Sequence, residues 1–489
     1  MSLTPGALAE LRALLGEHGV LDSDAARFVY EADAMILDRA RPDVVALPRS
    51  TDEVSAVIRW ARTHGLPVTA RGAGTGLAGG CTCEQGGVAL SLNRMDGILR
   101  VDEERMFAWV HAGLVNLWLS QRVAGSGLTF APDPASQQVS TIGGNVATNA
   151  GGPHCLKYGV TLNHILGVTA VLADGSVVVL GGEACDAPGF DLASIVIGSE
   201  GTLAVITEVC VRLVPVPEAV KTILFDFATI ADACQTVSQV IAEGIVPAAM
   251  EIMDQFSVRL VEAWLVLGLP TDAAAILLIE VDGPATALPG QAERIVAIAR
   301  EHGVRSVRVA GDEAERAQLW RGRKSQFGAY GRTGKPFYVL DGVVPRTRLA
   351  EALVHVHELA SARGLHAGSV SHAGDGNLHP HVMFDPDVPG QQEAAHAVEL
   401  EILRMCIRFG GTITGEHGVG IEKRPMMSEL FAPEDLAVME RARAAFDPDR
   451  RLNPGKILPG HGGAAATGFT HAAPMRGAAL RDDVQGPWT

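Results

Sequence analysis

Cysteine is scarce. The 489 residues hold seven, an odd number, and only Cys81 and Cys83 lie close together. No pair has the two-residue spacing of a thioredoxin motif or of a zinc or iron–sulfur ligand set, so neither a disulfide scaffold nor a cluster-bearing chain is expected. Positive charge is also in deficit: 40 Lys and Arg stand against 56 Asp and Glu, a formal net charge of −16. Nucleic-acid binding needs a basic footprint over the phosphates, which argues against that class; a small anionic substrate needs only a few local cations. No stretch reaches the ~18 uninterrupted apolar residues of a membrane span. The first residues lack the cationic start and apolar run of a signal peptide, and no internal repeat is visible. The expected setting is reducing and cytoplasmic, with any membrane association made through partners. What is plentiful is apolar material, 47% of residues against 20% charged. That is enough for sizeable cores in a chain about three times as long as a ~150-residue domain.

Leu8, Leu11, Leu14 and Leu15 have helical spacing. Ser50 and Glu53 fit a capping box, ahead of a stripe of Val54, Val57, Ile58 and Ala61. That helix ends at His64-Gly65, a strand follows over 66–70, and Val88–Leu92 reads as the next strand. Ile165–Leu172 and Ser176–Leu180 make a hairpin about Asp174-Gly175. Pro215 and Pro217 punctuate a boundary. Beyond it, β-like runs (222–227, 277–281) alternate with helical ones (229–243, 254–267, 287–302), an α+β pattern with an antiparallel sheet and no visible chemistry. Two further helices are expected over 349–363 and 392–409, each leading into a histidine-bearing segment, and the stretch after Gly460 reads as a flexible tail. The expected division is 1–217, 218–425, 426–460 and 461–489.

Three glycine-rich tracts stand out: RGAGTGLAGG at 71–80, STIGGNVATNAGG at 140–152 and IGSEGTLAVITE at 197–208. Glycine lets a backbone approach a ligand closely, and successive amides in such a loop cradle an anion such as a pyrophosphate. The letters GxGxxG occur at 74–79, but the next regular element reads as a strand, so a Rossmann fingerprint is not indicated. One tract alone could be an ordinary surface loop; three, each beside a strand, indicate a cofactor cleft. Near the other end, His372 and His379 flank AGDGNL, so a turn at Gly374-Asp375-Gly376 would fold the two imidazoles together. Glu416, from a second glycine-bounded loop, could add an oxygen. Two histidines and a carboxylate suit a divalent metal, though by spacing alone they could equally be histidines satisfied within loops.

With these motifs in hand, the chain resembles the FAD-linked oxidase family of the vanillyl-alcohol oxidase and p-cresol methylhydroxylase type. The resemblance is carried by the first tract, IGGNVATNAGG (142–152), KYG (157–159), LADG (172–175) and the third tract. More narrowly it resembles the glycolate oxidase D-subunit and D-lactate dehydrogenase branch, through WRGRKSQF (320–327), SHAGDGNLHPH (371–381), GEHGVG (415–420) and FDPDRRLNPGKILP (446–459). The similarity spans about residues 20–460. It implies an FAD-binding domain of two α+β subdomains plus an α+β substrate (cap) domain carrying the metal site, with the C-terminal segment returning to the FAD domain.

The resemblance places the FAD pyrophosphate on Arg71, Gly72, Ala73, Gly74, Thr75, Gly76, Gly79 and Gly80. The rest of the flavin would be lined by Pro132, Asp133, Thr141, Gly143, Gly144, Asn145, Asn149, Gly151, Glu200, Gly201, Ile206 and Asn453. Covalent-flavin relatives carry a histidine in or near the first loop; this loop has none, so non-covalent FAD is expected, and Cys81 and Cys83 read as small buried residues rather than a thioether attachment. The related dehydrogenases use residues matching His372, His379 and Glu416 as ligands of a divalent ion (Zn, Mn or Fe). His417 would take the hydroxyl proton, or else support the ligand beside it. The run Arg321, Arg323, Lys324 alone would be read as a solvated helix face; the resemblance singles out Arg323 as a carboxylate fork, with His381 touching substrate.

Relatives acting on D-2-hydroxyglutarate carry a Thr and a Lys where this chain has Phe327 and Val339, so a small monocarboxylate, glycolate or D-lactate, is expected. The expected reaction is FAD-dependent oxidation of an (R)-2-hydroxy acid to the 2-oxo acid. With no haem or cluster motif in the chain, the electrons would pass to a separate quinone, cytochrome, flavoprotein or iron–sulfur subunit. The alternatives are a flavin subunit inactive without its hetero-oligomeric partners, a metal-free flavin oxidase, and a D-2-hydroxyglutarate dehydrogenase; the expected assembly is a homodimer or a hetero-oligomer.

Overall fold

A computed structural model describes residues 3–35, 37–184 and 188–460; the expected flexible tail lies outside the described residues. Contacts group these residues into two compact units. One contains residues up to 152, 158–216 and 416–460; the other contains 153–157 and 217–415. Compared with the division expected from sequence, the segment from Glu416 joins the first unit, and a five-residue piece following the second glycine tract joins the second.

The first unit holds two larger sheets. In the four-stranded one, Val44–Ala46 and Val68–Arg71 run parallel to Val88–Ser91 on either side of it, and Val20–Leu21 pairs antiparallel at the edge. The connection from Val68–Arg71 to Val88–Ser91 is the first glycine tract, which confirms the strand-loop-strand reading of that motif. The preceding helix, Thr51–Thr63, is capped by Ser50, whose hydroxyl accepts from Glu53 N at 3.2 Å. Its apolar stripe of Val54, Val57, Ile58 and Ala61 is buried against the sheet core, where apolar area removed from water stabilises the unit. The five-stranded sheet is antiparallel and includes the hairpin Ile165–Val171 with Val177–Gly181. The C-terminal segment lies along Val68: Val68 N donates to Arg451 O, and Asn453 N donates to Val68 O.

The second unit is built on a seven-stranded antiparallel sheet in the spatial order Val304–Val309, Ala219–Phe227, Ala275–Gly283, Ala249–Asp254, His366–His372, Asn377–Met383, Phe337–Val339. Cross-strand partners share a face, and alternate residues return to it. Thr222 pairs with Glu280, Glu280 with Ala249, Glu251 with His372, Val370 with His379, and Gly368 with His381. Glu280, Glu251, His372, His379 and His381 therefore all lie on one face of this sheet. The helix Glu313–Lys324 sends Arg316, Trp320 and Arg323 towards that face from positions i, i+4 and i+7.

Candidate functional site

In the first unit the glycine loop has a definite polarity. Its carbonyls are spent on protein: Gly76 O accepts from Ala34 N, Ala78 O from Ile421 N, and Gly80 O from the Asn453 side chain at 2.8 Å. Its amides are not. Among the described residues, no N–H from Gly72 to Gly80 donates to a protein acceptor. A run of unspent amides is the cradle that a pyrophosphate fits. The cradle is held from behind. Arg71 Nη1 donates to Ala32 O at 2.8 Å and contacts Cys81 Sγ at 3.2 Å. Gly74 has φ +73°, and a Cβ there would lie 2.1 Å from Arg71 Nη2, so the turn requires glycine. Burial pushes the Cys81 thiol up to about 12, far from the reactive thiolate range.

The second tract is a helix, Ile142–Thr148, rather than a loop. Thr141 caps its start, accepting from Gly144 N at 3.2 Å, and Asn149 closes its end at φ +52°. Gly143 packs tightly, since a Cβ would lie 2.5 Å from that of Ala112. The polar side chains expected to line the flavin here bond protein: Asn145 Oδ1 accepts from Asn116 Nδ2 at 3.1 Å, and Asn149 Oδ1 accepts from Leu162 N at 2.8 Å. Pro132 O accepts from Asn116 as well, and a Cβ on Gly152 would meet Asp133 O at 2.7 Å. Gly151 is buried just ahead of it. In the third tract, Glu200 accepts from Val419 N at 2.7 Å and Gly420 N at 2.8 Å, while its own carbonyl accepts from Asn453 Nδ2 at 2.6 Å. Glu200 thus ties the GEHGVG and NPGK motifs to the third tract, and Asn453 extends that tie to Gly80 of the first loop; Gly201 beside Glu200 has φ +71°, and Ile206 is buried in the strand Val205–Arg212.

Asp33 was not singled out in the sequence. It is buried beside the first loop with Oδ2 lacking a hydrogen-bond partner among the described residues, and burial pushes its carboxyl up to about 7.

In the second unit the histidine hairpin forms as its spacing suggested. His366–His372 and Asn377–Met383 pair about the glycine turn, and the His372 and His379 rings meet edge-on with centroids 4.9 Å apart. Each ring has a fixed tautomer. His372 Nδ1 donates to Glu251 Oε1 at 2.7 Å, and His379 Nδ1 donates to Leu340 O at 3.1 Å. Both acceptors lack a proton to give, so an uncharged imidazole at either position carries its lone pair on Nε2, the atom from which it could ligate a metal. His381 Nδ1 donates to His379 O at 2.9 Å, and its ring stacks on Tyr330 at 4.2 Å.

Sequence reading missed two acids here. Asp341 is fully buried, accepts from Thr414 Oγ1 at 2.6 Å, and has a ligand oxygen within 4.8 Å of a ring nitrogen of His379. Glu251 sits in the strand AMEIMD, every residue of which is buried. Two acids, Glu251 and Asp254, in an otherwise apolar buried run were the available signal that this stretch sets charge against the histidine hairpin. Imidazoles with committed Nδ1 protons beside a buried carboxylate are a donor set that suits a divalent ion.

Arg323 is buried, whereas Arg321 and Lys324 are exposed, so the basic run is not a uniformly solvated face. Arg323 Nε donates to Glu251 Oε2 at 2.5 Å. Burial raises the Glu251 pKa, but the Arg323 charge and the hydrogen bonds from Arg323 and His372 outweigh it and hold the carboxyl below its ordinary range. Two strand positions away, Glu280 accepts from Thr222, Arg316, Trp320 and His154. In the first unit, Glu416 and His417 follow directly on Gly415, with Glu416 Oε1 3.9 Å from His417 Nε2.

Residues 42–181 match the FAD binding domain family and residues 216–457 match the family of FAD linked oxidases, C-terminal domain. The chain is 42% identical to the glycolate oxidase subunit GlcD of Escherichia coli K12, covering 90% of this chain and 88% of that one. It is 40% identical to GlcD of Bacillus subtilis (93% and 97% covered) and 34% identical to a D-lactate dehydrogenase of Archaeoglobus fulgidus (89% and 96%). The solved structure of p-cresol methylhydroxylase superimposes with a TM-score of 0.76 at 18% identity, covering 93% of this chain and 98% of that one. The chain belongs to the FAD-linked oxidase family, with the two-domain FAD-oxidase fold and an FAD-dependent oxidoreductase activity.

Proposed function

We propose that the chain oxidises a small (R)-2-hydroxy monocarboxylate, glycolate or D-lactate, to the 2-oxo acid. The observation that carries this reading is the buried line Arg323–Glu251–His372, which sets an arginine fork beside a tautomer-fixed histidine pair. FAD, held non-covalently by the 71–80 amides, would supply the two-electron hydride acceptor for the substrate Cα. A divalent ion held by His372, His379 and Glu416, with Asp341 as a further oxygen donor, would lower the hydroxyl pKa and orient the substrate. Arg323 binds the substrate carboxylate through its terminal guanidinium nitrogens, because Nε is engaged by Glu251. His417 accepts the hydroxyl proton, a role suited to a neutral imidazole near pH 7. His381 lies against the substrate.

The monocarboxylate preference has a physical basis. Phe327, Phe337, Tyr330 and His381 form a chain of ring contacts at 5.3, 5.6 and 4.2 Å. The Phe327 and Phe337 rings offer a second carboxylate no hydrogen-bond partner, which disfavours 2-hydroxyglutarate.

A second reading is favoured by one observation: the GlcD relatives are named as subunits. On that reading the chain works in a hetero-oligomer, with a quinone, cytochrome, flavoprotein or iron–sulfur partner taking the electrons. Anaerobic flavin bleaching with glycolate, D-lactate, L-lactate and D-2-hydroxyglutarate, with metal analysis of the same sample, tests both. Bleaching by glycolate or D-lactate, lost on chelation, is the expected result. No bleaching by any 2-hydroxy acid overturns independent activity.

A further inference from the structure

We propose that Glu251 is the positioning residue of this site, one carboxylate that orients both the arginine fork and the histidine ligand. The inference rests on the reading above of Arg323 and His372.

The register creates the arrangement. Glu251 and His372 are Cα partners on neighbouring antiparallel strands, so their side chains leave the sheet side by side on one face. Arg323 arrives from the last turn of the helix Glu313–Lys324. Each carboxylate oxygen then has its own donor: Oε2 takes Arg323 Nε at 2.5 Å, and Oε1 takes His372 Nδ1 at 2.7 Å. Both bonds select an orientation. Engaging Nε fixes the guanidinium plane and turns its Nη1/Nη2 edge into the binding fork. Engaging Nδ1–H fixes the ring and its tautomer, placing the ligand lone pair on Nε2.

The neighbouring acid supplies a contrast. Glu280 is equally buried on the same face, but its partners are Thr222, Trp320, Arg316 and His154, none of which has a role in the proposed reaction. Glu280 reads as a tie between strand, helix and the 153–157 segment. Glu251 is bonded instead to two groups that the proposed chemistry uses. A buried carboxylate is costly to keep unless its partners hold it, and these partners are the ones whose geometry matters most.

The test uses the full chain with FAD bound. Glu251→Gln keeps the shape but presents an amide N–H₂ to one of the two donors, so one bond must break. The expected result is a KM for glycolate or D-lactate raised about tenfold or more. Zn²⁺ or Co²⁺ affinity of the metal-stripped protein should fall about 10–100-fold, with FAD stoichiometry unchanged. Glu251→Asp, which keeps the charge, should recover part of both. Wild-type KM and metal affinity in Glu251→Gln would overturn the inference if Arg323→Lys and His372→Gln impair them. Loss of fold in both Glu251 variants would also overturn it, assigning the residue to stability alone. If the parent chain binds neither Zn²⁺ nor any 2-hydroxy acid, the functional reading itself fails, and this inference fails with it.

Discussion

The two units offer a ligand different kinds of group. In the first, the offer is backbone: the amides from Gly72 to Gly80 are unspent, and nearby side chains bond backbone, Asn453 that of Gly80 in the tract itself, Arg71 that of Ala32 and Glu200 that of Val419 and Gly420. In the second, the offer is side chains on one face of a sheet, each oriented by a buried partner: His372 by Glu251, His379 by Leu340 O, Arg323 by Glu251. A pyrophosphate is large and repetitive, and a row of equivalent dipoles suits it. A small hydroxy acid has few handles, so each must be met by a charged group held in a set direction. The two sites should therefore fail separately and in different ways.

The largest expected effect comes from the second unit. His379→Ala should lower kcat by about 1,000-fold or more, as should chelation of the metal, while the flavin spectrum and FAD content stay unchanged. Flavin loss in this variant would break the comparison. Arg323→Lys should cost about 100-fold in kcat/KM, mostly through KM, because an ammonium cannot reproduce the fork; steady-state kinetics with an artificial electron acceptor measures it.

The reverse experiment is Gly74→Val. Positive φ and the approach to Arg71 should weaken FAD binding by about 10- to 100-fold, with Zn²⁺ affinity preserved, as read by flavin release and metal titration. A smaller effect sharpens the picture of the cradle. The folded chain holds Asp33 neutral up to about pH 7, whereas its unfolded carboxyl ionises near 3.8. The folded state thus binds the extra proton between those values, and stability falls as pH rises across that window, then levels. Asp33→Asn removes the penalty. Its thermal midpoint should match the parent at pH 4 and exceed it by about 2–8 °C at pH 8; a constant offset at both pH values would show that Asp33 does not titrate in that window.

Much of this was legible in the chain itself. The capped helix Thr51–Thr63, the hairpin at Asp174-Gly175 and the approach of His372 to His379 all follow from local periodicity and turn chemistry. So did the strand that follows the GxGxxG letters, which set a Rossmann reading aside. The helical state of 142–148 was hidden by its glycines, because Thr141 and Asn149 supply the caps that override low propensity. Glu251 and Asp341 were hidden because their partners lie 121 and 73 residues away.

The order of residues alone therefore decided what local rules decide: where backbone must turn, which faces are apolar, and which residue types stand close along the chain. It could not say which of three neighbouring cations would be buried, nor that a glutamate in a hydrophobic strand would face a histidine. Those outcomes depend on strand register and helix docking, which bring distant residues within hydrogen-bond reach only once the sheet has formed and water has been excluded from it.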